Sequence, residues 1–283
     1  MILTKYFQPN YGYDVLKNLR LKVSDPLEFN DPFDLLPYIE GEITFRDFKN
    51  KLKNPYYVDR LYRRSKEQLG IQNKKDFKTY LKRQNIYKVY TRFMIDIIQH
   101  LNHELQKLKE NFSITSKILC FSRLDLLKPT EEILMWAHYS KANHGIRISF
   151  DTNKIKLKSI GAKEVKYQEQ RIRLDAQKIF WEDRDELNLF RTVMTTKSSA
   201  WEYEHEYRWY ISNLECFSDG KYDFIKINSD AIVRVDIGVN STTAFRNKLK
   251  KLMRSKEYLH VDIFLAELDE KDFKLNYKKV QLS

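Results

Sequence analysis

The sequence predicts an α+β fold in which a mixed or antiparallel sheet carries a basic helical insertion. Short runs of β-type residues recur through the second half of the chain, and helical stretches interrupt them. Between residues 44 and 112 apolar residues recur instead every three or four positions, as on one face of a helix. Glycine and proline are scarce, with 7 and 6 among 283 residues, which excludes disordered and low-complexity classes. We therefore expect a single domain over residues 1–283, with a helical insertion at 44–112.

The first elements are a short strand and a short helix. The run LTKYF at residues 3–7 is typical of a strand, and apolar residues at helical spacing in residues 13–21 predict the helix. A Ser-Asp-Pro break at 24–26 is expected to end this first unit. In residues 27–37 two prolines and an Asn-Asp pair prevent regular structure, so we expect an ordered loop there.

A strand, a helix and a second strand follow the insertion in close order. SKILCFS at 116–122 and GIRISFD at 145–151 consist of β-type residues, and EILMWAHYS at 132–140 is helical in pattern. Further helices are expected near 168–191 and 242–255. The remaining strand signals are EVKY at 164–167, EYRWYIS at 206–212, FIKI at 224–227, IVRVDIGV at 232–239, VDIFLAEL at 261–268 and FKLNYKKV at 273–280.

The cysteine content and the distribution of apolar residues indicate in which cell compartment the protein is expected. Cys120 and Cys216 are far apart and lack zinc-ligand spacing, so no disulfide framework or metal motif is expected. The first ten residues lack the apolar core of a signal peptide, and no stretch approaches the roughly 20 apolar residues that span a bilayer. We expect a cytoplasmic protein without membrane contact or a metal site.

Most of the positive charge lies in the predicted insertion. Residues 41–112 contain 17 Lys and Arg against 8 Asp and Glu, which is +9 of the formal net charge of +12. Contact with phosphates would release counterions, so nucleic acid or a nucleic-acid-bound protein is a candidate partner for the 44–112 helices. The alternative is a lysine-rich helical surface that contacts only solvent.

The stretch AWEYEHEYRWYIS at residues 200–212 alternates aromatic and charged side chains. Interpreted as a strand over 201–210, it places the glutamates at 202, 204 and 206 on one face, together with Arg208. Carboxylates two positions apart on a strand stand about 7 Å from each other and repel unless a cation compensates. The row therefore predicts either a site for a positively charged species or an exposed face whose acids pair with the abundant lysines.

Several short motifs, taken in order, resemble a bacterial family of unknown function, the one numbered 2971 among domains of unknown function. The resemblance spans nearly the whole chain, and it depends on the combination of motifs rather than on any one of them. The motifs are LTKYF at 3–7, FNDPF at 29–33, CFS at 120–122, MWAHY at 135–139, HGIRISFD at 144–151 and KSSAWEYEHEYR at 197–208.

A more distant resemblance is to the ADP-ribosyltransferase fold. The shared features are an N-terminal strand with a short signature, an F-S strand followed by a helix that ends in tyrosine, and a later strand with Glu-x-Glu. The resemblance implies NAD as the substrate and a catalytic set of Glu206, Glu204 and Tyr139. It also implies that Lys5 takes the first-strand position that holds the NAD ribose, with Ser122 beside the catalytic groups.

The resemblance implies further contacts with the dinucleotide. Lys5 or Arg147 would meet the pyrophosphate, and Tyr6 and Asn30 would line the site. For Asn30 an alternative is a purely local role, in which its side chain builds the turn before the proline. The first strand carries Lys5-Tyr6-Phe7, whereas that fold commonly has a His-Tyr-Thr or His-Gly-Ser signature, so the adenosine-side contacts would differ.

The implied roles fit the chemistry of the residue types. Cleavage of the nicotinamide glycosidic bond develops an oxocarbenium-like cation, which a fixed carboxylate at Glu206 would stabilise. Glu204 would act as a general base toward the attacking group, and the Tyr139 ring would stack on the cationic nicotinamide.

Two other functions stay open at this point. One is a non-catalytic module that binds RNA or DNA through the helical insertion. The other is a divalent-metal nuclease, which needs a cluster of acids to hold magnesium, and the 202–206 row comes closest to one. A role in bacterial defence or as a toxin follows only from how ADP-ribosyltransferase-like folds are often employed.

Overall fold

A computed structural model describes residues 1–95, 110, 113–159, 161–181 and 186–282. It confirms the α+β class, with helices and a large mixed sheet. The chain divides into two compact units. The first comprises Met1–Asp34, Asn111–Gln170 and Thr195–Ser283, and the second comprises Leu35–Glu110 and Arg171–Met194.

The described elements include the predicted strands, but short strands that the sequence did not predict occur as well, and β8 replaces part of the helix expected near 168–191. The strands are β1 (Ile2–Phe7), β2 (Arg20–Lys22), β3 (Tyr38–Glu40), β4 (Ser116–Ser122), β5 (Ile146–Asp151), β6 (Lys163–Glu164), β7 (Lys166–Gln168), β8 (Arg173–Asp175), β9 (Thr196–Ser198), β10 (Glu206–Ser212), β11 (Phe217–Ser218), β12 (Asp223–Lys226), β13 (Ile232–Ile237), β14 (Asp262–Leu268) and β15 (Leu275–Lys279). The helices are α1 (Pro9–Asn18), α2 (Phe45–Lys51), α3 (Pro55–Leu69), α4 (Lys74–Arg83), α5 (Pro129–Tyr139), α6 (Ala176–Trp181), α7 (Glu186–Met194) and α8 (Thr243–Met253). Helical backbone also runs through 86–95. Among all these described helices, none combines the length and the apolar character needed to cross a membrane.

The main sheet of the first unit has its strands in the order β15-β14-β13-β5-β1-β4-β10-β6 within the described residues. Neighbours run antiparallel, apart from the parallel pair β13 and β14. Strand β1 pairs with β5 along its whole length, but its register with β4 contains a single described pair, Thr4 with Ser122. Strand β4 ends at Ser122, and toward its start Ile118 bridges Ser24 rather than β1, so the two central strands separate beyond the Thr4–Ser122 pair.

The apolar core of the first unit lies on the sheet face that α1 and α8 cover. Leu3 and Phe7 alternate along β1 toward this face, as the two-residue period of a strand requires. Leu16 of α1 and Leu249 of α8 pack in the same cluster and are at most 1% exposed. On the opposite side, Tyr6 packs with α5 residues in a smaller cluster. Glu206, the one catalytic candidate on a strand, therefore belongs to a sheet that packed layers hold in place.

The second unit contains the described part of the predicted helical insertion. Helices α2 to α4 and the helical stretch 86–95 surround a core that includes Phe48, Phe77 and Trp181. This unit also takes in residues 171–194, whose strand β8 pairs in parallel with β3. Residues 96–109, 111 and 112 of the predicted insertion lie outside the described residues.

Gly145 of the HGIRISFD motif is required by close backbone packing. A Cβ atom at this position would lie 1.9 Å from the backbone oxygen of Phe7 and 3.0 Å from that of Ser140. We expect Gly145→Ala to lower the free energy of unfolding by about 1–3 kcal/mol or more, because backbone atoms would have to shift. Equilibrium unfolding in urea measures this change.

Gly161→Ala is the matched control, since nothing lies within 4 Å of a Cβ built there. Its effect should stay within about 0.5 kcal/mol. Equal unfolding midpoints for the two variants would contradict the close approach at Gly145.

Candidate functional site

A cleft of about 580 Å³ opens in the first unit where β1 and β4 separate. Its volume lies within the roughly 300–1,000 Å³ typical of small-molecule sites. Strands β1, β4 and β10, helix α5 and the loop after β2 contribute its walls. Of the site residues that the sequence suggests, those that line the cleft are Lys5, Tyr6, Asn30, Ser122, Tyr139, Glu204 and Glu206.

The acidic stretch has a different backbone from the predicted one. Residues Ser199–Glu204 form a 3-10 helix, and strand β10 begins only at Glu206, so the prediction of a strand over 201–210 is wrong for 201–205. The Ser198 hydroxyl accepts a hydrogen bond from the Ala200 N–H and caps this turn. His205 then takes a left-handed conformation with φ of 42°, which redirects the chain into β10.

The turn brings Glu204 and Glu206 onto one buried cation. The Lys197 ammonium donates to Glu204 Oε2 at 2.6 Å and to Glu206 Oε2 at 3.2 Å. Both carboxylates are 4% exposed, although they line the cleft. Glu202, by contrast, is exposed. The predicted acidic row is thus two cleft carboxylates that share a lysine, with the third acid in solvent.

Arg208 connects the acidic pair to the loop before β3. Its Nε donates to Glu206 Oε1 at 2.8 Å, and its Nη2 donates to Asp34 Oδ2 at 2.6 Å. At the other end of this network, the Tyr139 hydroxyl donates a hydrogen bond to Glu204. The polar network therefore runs from Asp34 to Tyr139 without leaving the buried wall of the cleft.

The two carboxylates have pKa values shifted in opposite directions. Burial opposes ionisation of Glu206, but the charges of Arg208 and Lys197 outweigh it and lower its pKa. For Glu204, burial is the strongest influence, and the negative charge of Glu206 adds to it, so its pKa is raised. Pairs of acids whose environments separate their pKa values are typical of sites that need one ionised group and one group that exchanges protons.

Two further lysines, Lys5 of β1 and Lys22 of β2, also line the cleft. Lys5 donates from Nζ to the Cys120 backbone oxygen at 2.8 Å, and burial lowers its pKa. Lys22 of β2 lies over the Tyr222 ring, with Nζ 3.9 Å from the ring centre. Neither ammonium forms an ion pair with a carboxylate of a described residue. The cleft thus combines acidic and basic side chains, and Lys5 interacts electrostatically with both Glu206 and Glu204.

The position of Arg147 does not fit the predicted pyrophosphate contact. Its side chain is 1% exposed and forms ion pairs with Glu132 and Asp236, with an Nη2–Oδ2 distance of 2.9 Å to Asp236. Its Nη1 also donates to the Tyr6 hydroxyl at 3.2 Å. The sequence suggested Arg147 because it lies on a strand near the site, but it did not show that Glu132 of α5 and Asp236 of β13 pair with it. Arg147 holds the Tyr6 side chain rather than lining the cleft.

The sequence did not identify Lys197, Arg208 and Asp34 as site residues. Lys197 and Arg208 both fall within the KSSAWEYEHEYR motif, which was the available signal. Asp34 follows the FNDPF motif directly, but nothing local indicates that it faces Arg208. Within the described residues, no group of three or more His, Cys, Asp or Glu is placed to hold a metal ion.

Comparison with known proteins supports the family resemblance and names no reaction. Residues 135–209 match the model of a family described as protein of unknown function, DUF2971. This segment includes Tyr139, Lys197 and the two cleft glutamates. No curated protein and no solved structure matches the chain. Any assignment of chemistry therefore depends on the geometry of the cleft.

Replacing Lys197 by methionine should destabilise the protein in a pH-dependent way. The substitution leaves the carboxylates of Glu204 and Glu206 buried without their shared cation, which costs about 3–5 kcal/mol at pH 7.5. In Lys197→Met, burial and the negative charge of Glu206 act on Glu204 without the opposing Lys197 ammonium, so the already raised pKa of Glu204 rises further and its protonation relieves the cost as the pH falls toward that value. The difference between Lys197→Met and the native protein should therefore shrink between pH 7.5 and pH 5.

Urea midpoints at the two pH values measure this effect. Lys163→Met is the control, because Lys163 is an exposed lysine on the neighbouring strand β6. It should change the midpoint little at either pH. A pH-independent loss in Lys197→Met would mean that lost packing, and not the buried charge, explains it.

Proposed function

We propose that this protein is an ADP-ribosyltransferase-like enzyme that uses NAD as its substrate. The observation that carries the proposal is the pair of buried carboxylates with opposite pKa shifts, joined by one lysine on the wall of the cleft. Such a pair supplies a fixed negative charge and a proton acceptor side by side. That combination suits a reaction in which a sugar cation forms and a nucleophile then attacks it.

Glu206 is the group that we assign to the developing cation. The bond between the ribose C1′ and the nicotinamide nitrogen breaks, and its electron pair leaves with the neutral nicotinamide. The positive charge then spreads over C1′ and the ribose ring oxygen. Glu206 stays ionised because Arg208 and Lys197 lower its pKa, so its charge is present before the bond breaks. A preorganised charge of this kind needs no rearrangement during the reaction.

Glu204 is the group that we assign to the acceptor. Its raised pKa brings it closer to the value at which a general base works efficiently near neutral pH. As the new bond to C1′ forms, the attacking hydroxyl, amine or water loses a proton to Glu204. Tyr139 orients this carboxylate through its hydrogen bond, and its ring lines the cleft where a nicotinamide ring can stack.

The lysines that line the cleft suit the anionic part of the dinucleotide. Lys5 is available to a phosphate oxygen, while Ser122, Asn30 and Tyr6 line the same space. The acceptor in this proposal is either a macromolecule or water. In both cases the reaction would consume NAD in the cytoplasm, and a toxin or defence protein could act by that depletion or by the modification itself.

Substitution of Glu206 tests the proposed chemistry. Glu206→Gln should reduce nicotinamide release from NAD by roughly 100-fold or more, because a neutral amide cannot balance the sugar cation. Glu202→Gln is the matched control, since Glu202 lies in the same acidic row but is exposed. It should retain native turnover. Release of nicotinamide is followed by chromatography, with candidate acceptors present and absent.

Tyr139→Phe separates loss of chemistry from loss of structure. It removes only the hydroxyl that bonds to Glu204 and keeps the ring. Turnover should fall while the affinity for NAD changes little. Unchanged turnover in a folded Glu206→Gln protein, or no nicotinamide release by the native protein with any acceptor, would remove the proposal.

A further inference from the structure

The helical segment 44–95 of the second unit carries most of the net positive charge of the chain. Residues 44–95 contain 15 Lys and Arg against 4 Asp and Glu, a formal +11 of the total +12. The remaining residues together therefore carry only +1. Like charges at this density repel one another and destabilise the unit that holds them, unless a polyanion compensates.

Helix α4 presents this charge as a row of exposed lysines. Lys75, Lys78 and Lys82 are exposed and spaced three and four residues apart, so they share one face of the helix. The row extends roughly 10 Å along the axis at about 1.5 Å per residue. At about 3.4 Å of axis per phosphate, it can follow roughly three phosphates of one strand.

The local acids do not neutralise this row. Asp59 of α3 pairs with Arg63 and Lys74, each at 2.6 Å. Its carboxylate therefore compensates those two cations and not the lysine row. None of the three lysines in the row forms an ion pair with a residue that the structure describes. The row therefore faces solvent with its charge uncompensated.

The other face of α4 distinguishes nucleic acid from a membrane as the partner. Phe77 is fully buried in the core of the second unit, and Tyr80 and Leu81 pack against that core. A helix that lies in a membrane interface must offer its apolar face to lipid, whereas the apolar face of α4 is already covered. Charge complementarity without an exposed apolar face fits a phosphate backbone.

We propose that the lysine row of α4, formed by Lys75, Lys78 and Lys82, binds the phosphate backbone of nucleic acid. Recognition is electrostatic and independent of base sequence. Additional basic side chains on the following helical stretch, Lys88 and Arg92, are also exposed and extend the positive surface of this unit. This inference goes beyond the proposed chemistry and does not depend on it.

The test is the salt dependence of binding to a labelled 20-nucleotide RNA, followed by fluorescence anisotropy between 50 and 200 mM salt. The triple variant K75A/K78A/K82A should lose about 2 from the slope of log affinity against log salt, at about 0.7 per phosphate contact of a single strand. Its affinity should fall roughly 10- to 100-fold at 100 mM salt. Alanine favours helix, so α4 should remain folded.

The matched control is K154A/K251A/K278A, which removes the same charge from exposed lysines of the first unit. It should leave the slope unchanged and the affinity within about threefold. Equal effects of the two triple variants would overturn the proposal, because net charge alone would then explain binding. It would also be overturned if the native protein bound vesicles with anionic lipid but neither the RNA nor a DNA duplex of the same length.

Discussion

The cleft depends on a single buried ammonium group, that of Lys197. Carboxylates are rarely buried unless a cation compensates them, and here two glutamates share one lysine while Arg208 supports one of them. The sharing is unequal, so the two acids differ in pKa even though only one residue separates them in sequence. Two identical side chains thereby differ in the readiness with which they take up a proton. Among the described residues, no group of acids, histidines or cysteines is placed to hold a metal ion.

The sheet provides the space in which this pair can act. Because β1 and β4 meet only at Thr4 and Ser122 among the described residues, the sheet opens between two strands that packing holds firmly on both sides. The main sheet thus combines a firmly packed backbone with an opening that a ligand can enter. Lys5 and Glu206 both line this one opening, and side chains of both charges suit a ligand with both a cationic and an anionic part.

The longer regular elements and seven of the nineteen cleft residues could be predicted from the sequence, whereas the contacts between them could not. Strands such as β5 and helices such as α5 follow from periodicity, and the Glu-x-Glu motif identified Glu204 and Glu206 but not Asp34, which also lines the cleft. The turn at 199–204 was missed because its alternating residues also fit a strand, and the cap at Ser198 gives only a weak local signal. The ion pairs of Arg147 and Asp34 join residues far apart in the chain, which local patterns do not encode.

The most direct test of the central claim is a structure of the protein with an NAD analogue whose glycosidic bond cannot be cleaved. The account predicts that the nicotinamide ribose lies in the opening between β1 and β4. A ribose hydroxyl should be at hydrogen-bond distance, about 2.7–3.2 Å, from the Glu206 carboxylate, with the nicotinamide ring against Tyr139. An analogue bound away from this opening, or an empty cleft at saturating concentration, would contradict the account.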